Sequence, residues 1–226
     1  MAYHLKIAIR NIEPVIWRRI RLPGNITFQQ LHQVIQTAFG WLDYHLYSFE
    51  FADTVITVPD DDCDLGEHFG GKKELDAAKT IISEFFDRYD VCLYEYDFGD
   101  SWNHEIIVEK RLKESKKYSV PICLGGARER PPEDVGGTEG YRAFLEIIND
   151  KGHPEREDML AWAEKDTRGR LYDPEYFSVN EINRRLCYAL ESNLETAVRM
   201  FSGQGISGPI SWSGPGPYVL INGKQY

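Results

Sequence analysis

The sequence predicts an α+β fold: an antiparallel β-sheet with helices packed on one side and a helical C-terminal third. Strand-like alternation of apolar and polar residues dominates the first half of the 226 residues, whereas helical spacing dominates the last third. The apolar fraction of 42% is typical of a globular chain. We expect a single domain over residues 1–200 and a flexible tail, rich in Gly, Ser and Pro, over residues 201–226.

The N-terminal half is predicted to form two pairs of strands around one helix. Thr27 and Gln30 have the spacing of a capping box, and Gly40 supplies a stop signal, so this helix has both ends marked. We expect His32, on this helix, to be a surface or boundary residue. The predicted elements are strands at 3–11 and 15–22, a helix at 27–39, and strands at 45–51 and 54–58.

The second half is predicted to change from strands to helices. Thr138 and Ser178 are typical helix N-cap residues, and each precedes apolar residues at helical spacing. Pro and Gly are frequent between residues 120 and 137, which predicts a long loop. The predicted elements are a helix at 75–86, strands at 90–97 and 102–112, and helices at 138–149, 155–164 and 178–190, with a short continuation to Met200.

The net charge of −10 opposes non-specific binding to nucleic acid, which requires clustered Lys and Arg. Arg18, Arg19 and Arg21 form the densest basic group, and on a strand Arg18 points away from the other two. We expect a charged solvent face here. A nucleic-acid interface is the least favoured function, since it requires this group to join the basic residues at 110–113 in one stripe.

The chain contains no apolar run near the ~20 residues that a membrane-spanning helix needs. Its N-terminus alternates like a strand and lacks the apolar core of a signal peptide. None of the four cysteines forms a C-x-x-C pair, so the spacing predicts neither a zinc ribbon nor a thioredoxin-like motif. We therefore expect a cytoplasmic location and no membrane partner.

A hairpin over residues 94–104, Y-E-Y-D-F-G-D-S-W-N-H, carries several groups capable of chemistry. Its tip holds Asp97 and Asp100, and its second strand presents Trp102 and His104. His104 shares a face with apolar residues, where a hydrogen-bonded core histidine is the commoner structure. The two aspartates can equally shape the turn by accepting backbone N–H groups.

Two kinds of site are compatible with these groups. The first is a metal site with His45, His104 and Cys123 as ligands, because zinc binds His, Cys and carboxylate side chains and can activate water. With His45, His104 and a nearby carboxylate, such a site predicts a metal-dependent, hydrolase-like enzyme. The spacings match no established zinc pattern, so the cofactor stays undetermined, with a divalent metal such as zinc as one option.

The second kind of site is a groove with an aromatic floor and a carboxylate rim, which suits a peptide or a cationic ligand. We rank this binding module, with an unidentified protein or small-molecule ligand, ahead of the enzyme. Its candidate ligand-binding residues are Trp41, Tyr96, Asp97, Asp100, Trp102, Glu133 and Asp134.

Five motifs occur in a fixed order along the chain. They are P-V-I-W-R-R-I at 14–20, L-H-Q-V-I-Q-T-A-F-G-W at 31–41, H-L-Y-S-F at 45–49, the hairpin at 94–104, and C-L-G-G-A-R-E-R-P-P-E-D-V-G-G at 123–137. Together they resemble the plasmid pRiA4b ORF-3-like family over about residues 3–190.

This resemblance implies an α+β fold and a family found in plasmid, transposon-associated and chromosomal contexts, but it implies no particular activity. The tail after about residue 200 lies outside it. The resemblance places in the family pattern Trp17, Trp41, His45, Asp97, Asp100, Trp102, His104, Glu133 and Asp134.

Overall fold

The computed structural model describes residues 1–59, 69–113, 119–167 and 169–190, and the backbone of residues 210–212, 219–221 and 224–225. The described chain is a mixed α+β fold with one large sheet. Its elements are β1 (Ala2–Ile9), β2 (Trp17–Pro23), α1 (Phe28–Phe39), β3 (Tyr47–Glu50), β4 (Thr54–Thr57), β5 (Lys73–Asp76), α2 (Ser83–Phe86), β6 (Val91–Tyr96), β7 (Trp102–Leu112), β8 (Ile122–Ala127), α3 (Gly137–Asn149), α4 (Arg156–Glu164), α5 (Val179–Leu186), β9 (Ile210–Trp212), β10 (Val219–Ile221) and β11 (Lys224–Gln225).

The large sheet has eight strands in the order β5-β4-β3-β6-β7-β1-β2-β8. The predicted hairpins β1–β2 and β6–β7 are present as antiparallel pairs. The prediction of a wholly antiparallel sheet is wrong at one edge, because β5 pairs with β4 in parallel. Residues 75–86, predicted as a helix, instead contain the end of β5 and only the short helix α2.

One face of the sheet is buried and the other is partly exposed. Along β1, Leu5, Ile7 and Ile9 are buried, whereas the alternate residues His4 and Lys6 are partly exposed. Burial of one face of an alternating strand is the arrangement that the sequence pattern predicts. The core therefore lies between the sheet and the helices that cover its buried face.

Helix α1 begins and ends where the sequence signals predict. The Thr27 side chain accepts a hydrogen bond from the backbone N–H of Gln30, and the Gln30 side chain accepts one from the backbone N–H of Thr27. Gly40 ends the helix in the left-handed conformation, with φ of 89°. His32 is buried, contrary to prediction, because its ring stacks on Tyr47 at a centroid distance of 3.6 Å.

The segment predicted as a loop over residues 120–137 contains strand β8, which pairs with β2 at the sheet edge. Its glycines permit a close approach: a Cβ on Gly126 would lie 2.6 Å from both Trp17 O and the Phe177 ring. Asn183 of α5 covers the free edge, since its side chain accepts from Cys123 N and donates to Cys123 O. The high Gly and Pro content therefore led to the prediction of a loop where the chain forms a strand, in which glycine permits close packing.

Arg18 lies on the buried face of β2, whereas Arg19 and Arg21 lie on the partly exposed face. The prediction of a charged solvent face is thus wrong for Arg18. Its guanidinium donates hydrogen bonds to the backbone oxygens of Ala38, Trp17 and Ala127. Arg18 is therefore not available to the basic stripe that a nucleic-acid interface would require.

Beyond the sheet, α3, α4 and α5 lie between residues 137 and 186. The predicted helical continuation to Met200 lies outside the described residues, and the segments described in the tail form the small sheet β11-β10-β9. A helical C-terminal third is therefore not confirmed. None of the helices in the described ranges combines the length and the apolar character that crossing a bilayer requires.

Candidate functional site

The turn between β6 and β7 holds Asp97 in the left-handed conformation, with φ of 58°. Its backbone N–H donates to Leu46 O, and its Oδ1 accepts from Gly99 N at 2.9 Å. This carboxylate oxygen shapes the turn, as short acidic side chains commonly do. The other oxygen, Oδ2, faces His45 Nε2 at 3.6 Å, so one side chain serves both the turn and a cluster of polar groups.

Three segments bring this cluster together. His45 precedes β3, Asp97 follows β6, and Asp134 lies in the loop before α3. His45 Nε2 is 3.2 Å from Asp134 Oδ1, and one ligand atom of each residue lies within 4.8 Å of the others. His45 Nε2 is buried and makes no hydrogen bond with any residue that the structure describes. A nitrogen and two carboxylate oxygens therefore converge at one place.

The two separations that involve His45 are close to those between ligand atoms around a divalent cation. Zinc binds nitrogen and oxygen ligands at about 2.0–2.2 Å in tetrahedral geometry, which places neighbouring ligand atoms about 3.3 Å apart. The distances from His45 Nε2 to the two carboxylates bracket this value, at 3.2 Å and 3.6 Å. Among the described residues, this is the one group of three or more His, Cys, Asp or Glu side chains that could hold a metal ion.

Glu133 lies beside the cluster and is buried. Its Oε1 accepts hydrogen bonds from Leu42 N at 2.7 Å and from the Tyr96 hydroxyl at 3.3 Å, whereas its Oε2 has no hydrogen-bond partner within the described ranges. Burial raises the pKa of the Glu133 carboxyl, and the positive charge of Arg130 and the hydrogen bond from Leu42 N oppose that rise. The cluster is thus backed by a third carboxyl group with one oxygen free of hydrogen bonds.

Asp100 connects the hairpin turn to the loop that carries Asp134. Its Oδ2 accepts from Gly136 N at 3.0 Å. Gly137 adopts φ of 67°, and a Cβ there would lie 2.6 Å from Asp100 O, so a larger residue would force the two loops apart. Asp100 acts on the cluster by holding these loops together.

The aromatic residues predicted as the floor of a groove are packed inside the protein. Trp41 is 5% exposed, and Tyr96 and Trp102 are fully buried. The Trp41 ring contacts the rings of Tyr96 and Trp102 at centroid distances of 5.3 and 5.6 Å. Their ring faces are thus covered by protein, and of the three Tyr96 contacts the cluster, with its ring 5.8 Å from the His45 ring.

His104 has both ring nitrogens engaged by protein groups. Its Nδ1–H donates to Trp102 O at 2.8 Å, which leaves Nε2 to accept from Trp41 Nε1–H at 3.3 Å. Burial lowers the pKa of His104 from 6.5 to about 4, so the ring is neutral at physiological pH. The structure therefore leaves His104 no lone pair for a metal.

Cys123 lies on β8, at the opposite side of the sheet order from β3 and β6. Its Sγ is 3.4 Å from Gly125 O, and burial raises the pKa of its thiol. The structure does not bring Cys123 or His104 to His45. Of the residues singled out in the sequence, it brings to His45 the carboxylates of Asp97 and Asp134.

Sequence reasoning missed two residues that support the cluster. Asp166 Oδ2 accepts from Glu133 N at 2.6 Å and from Arg130 Nη1 at 3.1 Å, which fixes the loop before α3. The Arg130 guanidinium also lies 4.8 Å from the centre of the Trp41 ring. Nothing in the local pattern around Asp166, at the end of α4, indicated this contact.

The comparisons with known proteins agree with the order of motifs. A family model described as "Plasmid pRiA4b ORF-3-like protein" matches residues 1–181. A relative from Sinorhizobium fredii (strain NBRC 101917 / NGR234), named "Uncharacterized protein y4hQ", is 34% identical over 160 residues, covering 70% of this chain and 78% of the relative.

A solved structure shares the fold. The crystal structure of a protein of unknown function, MM3350 from Methanosarcina mazei Go1, superposes with a TM-score of 0.67 at 37% sequence identity, covering 80% of this chain and 95% of that one. The family match spans most of the residues that form the sheet, the covering helices and the cluster around His45. This chain therefore belongs to the plasmid pRiA4b ORF-3-like family.

Proposed function

We propose that this protein is a binding module whose site holds a divalent cation between His45, Asp97 and Asp134. The observation that carries the proposal is the position of His45 Nε2, which is buried without a hydrogen bond to the described part of the chain and lies 3.2–3.6 Å from two carboxylate oxygens. A buried polar atom without a partner is costly, and a cation would satisfy it together with both carboxylates.

The charge around the cluster favours a cation. Two carboxylates face the imidazole nitrogen, and the buried Glu133 adds a third acidic group beside them. Nitrogen and carboxylate oxygen are ligand types that zinc and other first-row divalent metals accept. A protonated imidazole between two carboxylates is the alternative arrangement, and a metal titration separates the two.

The exposure of the cluster supports binding to a partner. The Asp134 side chain is 69% exposed, so a cation here lies at the protein surface. Three protein ligands leave at least one coordination position for a donor atom of a second molecule. Tyr44 and Leu46 flank His45 and are 53% and 41% exposed, which offers apolar contacts beside the cation. The ligand we propose is a protein or small molecule with an oxygen donor.

Hydrolysis is not part of this proposal. The enzyme hypothesis required His45 and His104 to converge on one ion. Both ring nitrogens of His104 instead form hydrogen bonds, with Trp102 O and Trp41 Nε1, so His104 is not free to bind that ion. Binding through the cluster at His45 does not depend on His104.

Isothermal titration of the full chain, without an affinity tag and after treatment with a chelator, tests the proposal with Zn²⁺ and Mn²⁺. We expect saturable binding of a single ion to the wild type. Asp97→Asn keeps the Oδ1 that shapes the turn but removes the charge, and His45→Ala removes the nitrogen. Each substitution should weaken binding by at least tenfold.

His153→Ala is the matched control. His153 lies between α3 and α4, where its Nδ1 accepts from Glu155 N, away from the cluster. This variant should bind the metal as the wild type does. Absence of saturable binding in the wild type, or equal affinity in the wild type and His45→Ala, would contradict the proposal.

A further inference from the structure

A second candidate site lies outside the cluster at His45. A cavity of about 430 Å³ opens between the segment after β8, residues 166–167 and 170–172, and α5. Its volume lies within the range of small-molecule sites. Its lining in the described chain includes four arginines, namely Arg130, Arg170, Arg184 and Arg185.

A fifth arginine reaches the same region from the core. A small void of about 20 Å³ adjoins the cavity, because the two share Glu129, Tyr176, Glu181 and Arg185 as lining residues. Arg18 lines this void and is 2% exposed. Within the described residues its hydrogen bonds go to backbone oxygens and not to a carboxylate, and the acidic residue whose charge acts on it is Glu129, which also pairs with Arg170.

The carboxylates of the cavity are already engaged. Asp166 pairs with Arg130 at 3.1 Å, and Glu129 pairs with Arg170. Glu181 accepts a hydrogen bond from the Tyr176 side chain. Among the residues that the structure describes, the cavity and the adjoining void thus have three carboxylates and five arginines in their lining, an excess of positive charge in a chain with a net charge of −10.

We infer that this cavity binds a small molecule carrying a phosphate group. Guanidinium groups bind phosphate oxygens through paired, charge-assisted hydrogen bonds, and arginine is the preferred residue for that geometry. The volume exceeds the needs of one phosphate. The remainder of the ligand would lie along the wall formed by Tyr176, on which the Arg170 guanidinium stacks at 3.8 Å from the ring centre.

This site is distinct from the proposed cation site, although one residue contacts both regions. Asp166 lines the cavity and also accepts from the backbone N–H of Glu133, next to Asp134. Arg184 and Arg185 lie in the last turn of α5, where positive charge also offsets the helix dipole. A test must therefore measure ligand binding as well as stability.

Calorimetric titration of the full chain with sodium pyrophosphate, and separately with inorganic phosphate, tests the inference at constant ionic strength and without divalent metal. We expect saturable binding of pyrophosphate to the wild type. Arg184→Gln should weaken it by at least tenfold, since Arg184 is exposed and has no ion pair among the described residues. Arg170→Gln supplies a second variant from another segment of the wall.

Arg142→Gln is the matched control, because Arg142 lies on α3 and pairs with Glu139 away from the cavity. It should bind pyrophosphate as the wild type does. The inference is overturned if neither phosphate probe binds saturably, if both cavity variants bind as the wild type does, or if citrate binds more tightly than pyrophosphate. Thermal unfolding of each variant without ligand verifies that it is folded, so that lost binding reports on the cavity.

Discussion

Acidification from pH 7 to pH 5 is expected to destabilise the protein through His104. The ring is buried against Trp41, Phe39 and Tyr94, and both nitrogens take part in hydrogen bonds that suit the neutral form. Burial lowers the pKa of His104 from 6.5 to about 4, because the imidazolium loses its hydration and the hydrogen bonds to the Trp102 and Tyr94 backbones compensate only in part. The unfolded chain, in contrast, leaves this ring in water.

The direction in which the free energy of unfolding changes with pH follows from proton uptake. Between pH 6.5 and about pH 4 the unfolded state binds more protons at His104 than the folded state does, so the free energy of unfolding falls as the pH falls. At about 1.4 kcal/mol per pKa unit, the full effect is about 3 kcal/mol, of which about 2 kcal/mol is lost between pH 7 and pH 5. Above pH 6.5 the ring is mostly neutral in both states, so His104 no longer makes the free energy of unfolding depend strongly on pH.

Other buried groups titrate in the same region. Burial also lowers the pKa of His32, which adds to the loss of stability on acidification. The raised pKa of Glu133 acts in the opposite direction, because the folded state then takes up a proton before the unfolded state. The contribution of His104 must therefore be isolated as a difference between the wild type and a variant.

Urea denaturation at intervals between pH 7 and pH 5 measures this difference. His104→Gln removes the titration, and His153→Ala provides a control whose pH dependence should match that of the wild type. We expect the stability gap between the wild type and His104→Gln to narrow by about 2 kcal/mol over this range. Parallel curves for these two proteins, or an NMR titration of the His104 ring near pH 6.5, would refute the reasoning.

Two further substitutions test contacts that hold the fold and the site. Thr27→Ala removes the side-chain oxygen that caps α1 and should cost about 1 kcal/mol in urea denaturation; an unchanged midpoint would mean that the cap is dispensable. Asp166→Ala leaves the buried Arg130 without its carboxylate and the Glu133 N–H without its acceptor, so we expect a loss of about 3 kcal/mol. A loss below 1 kcal/mol in the same assay would show that water or another group replaces Asp166.

Local sequence signals predicted the elements whose ends are marked by single residues. Helix α1 follows from Thr27, Gln30 and Gly40, because caps act within one turn of the chain. The hairpin β6–β7 follows from alternation on either side of a short polar turn. Such features require only neighbouring residues, so the sequence is sufficient to locate them.

Elements defined by distant partners were not predictable in the same way. The pairing of β5 with β4 in parallel depends on a strand partner separated by a long connection. Strand β8 looked like a loop because its glycines are breakers in isolation, whereas in the sheet they give room to the Trp17 backbone and the Phe177 ring. The type of a residue alone does not predict which distant segment will pack against its backbone.

The sequence by itself determined the mixed fold, the buried face of the N-terminal hairpin and the set of polar residues from which a site could be built. Only the tertiary structure decided that His45, Asp97 and Asp134 converge. It also decided that both ring nitrogens of His104 form hydrogen bonds, with Trp102 and Trp41, and that the Arg18 side chain is buried. The physical reason is the range of the interactions. Alternation and capping act between residues near in sequence, whereas lone pairs and charges acquire their partners only when distant segments pack together.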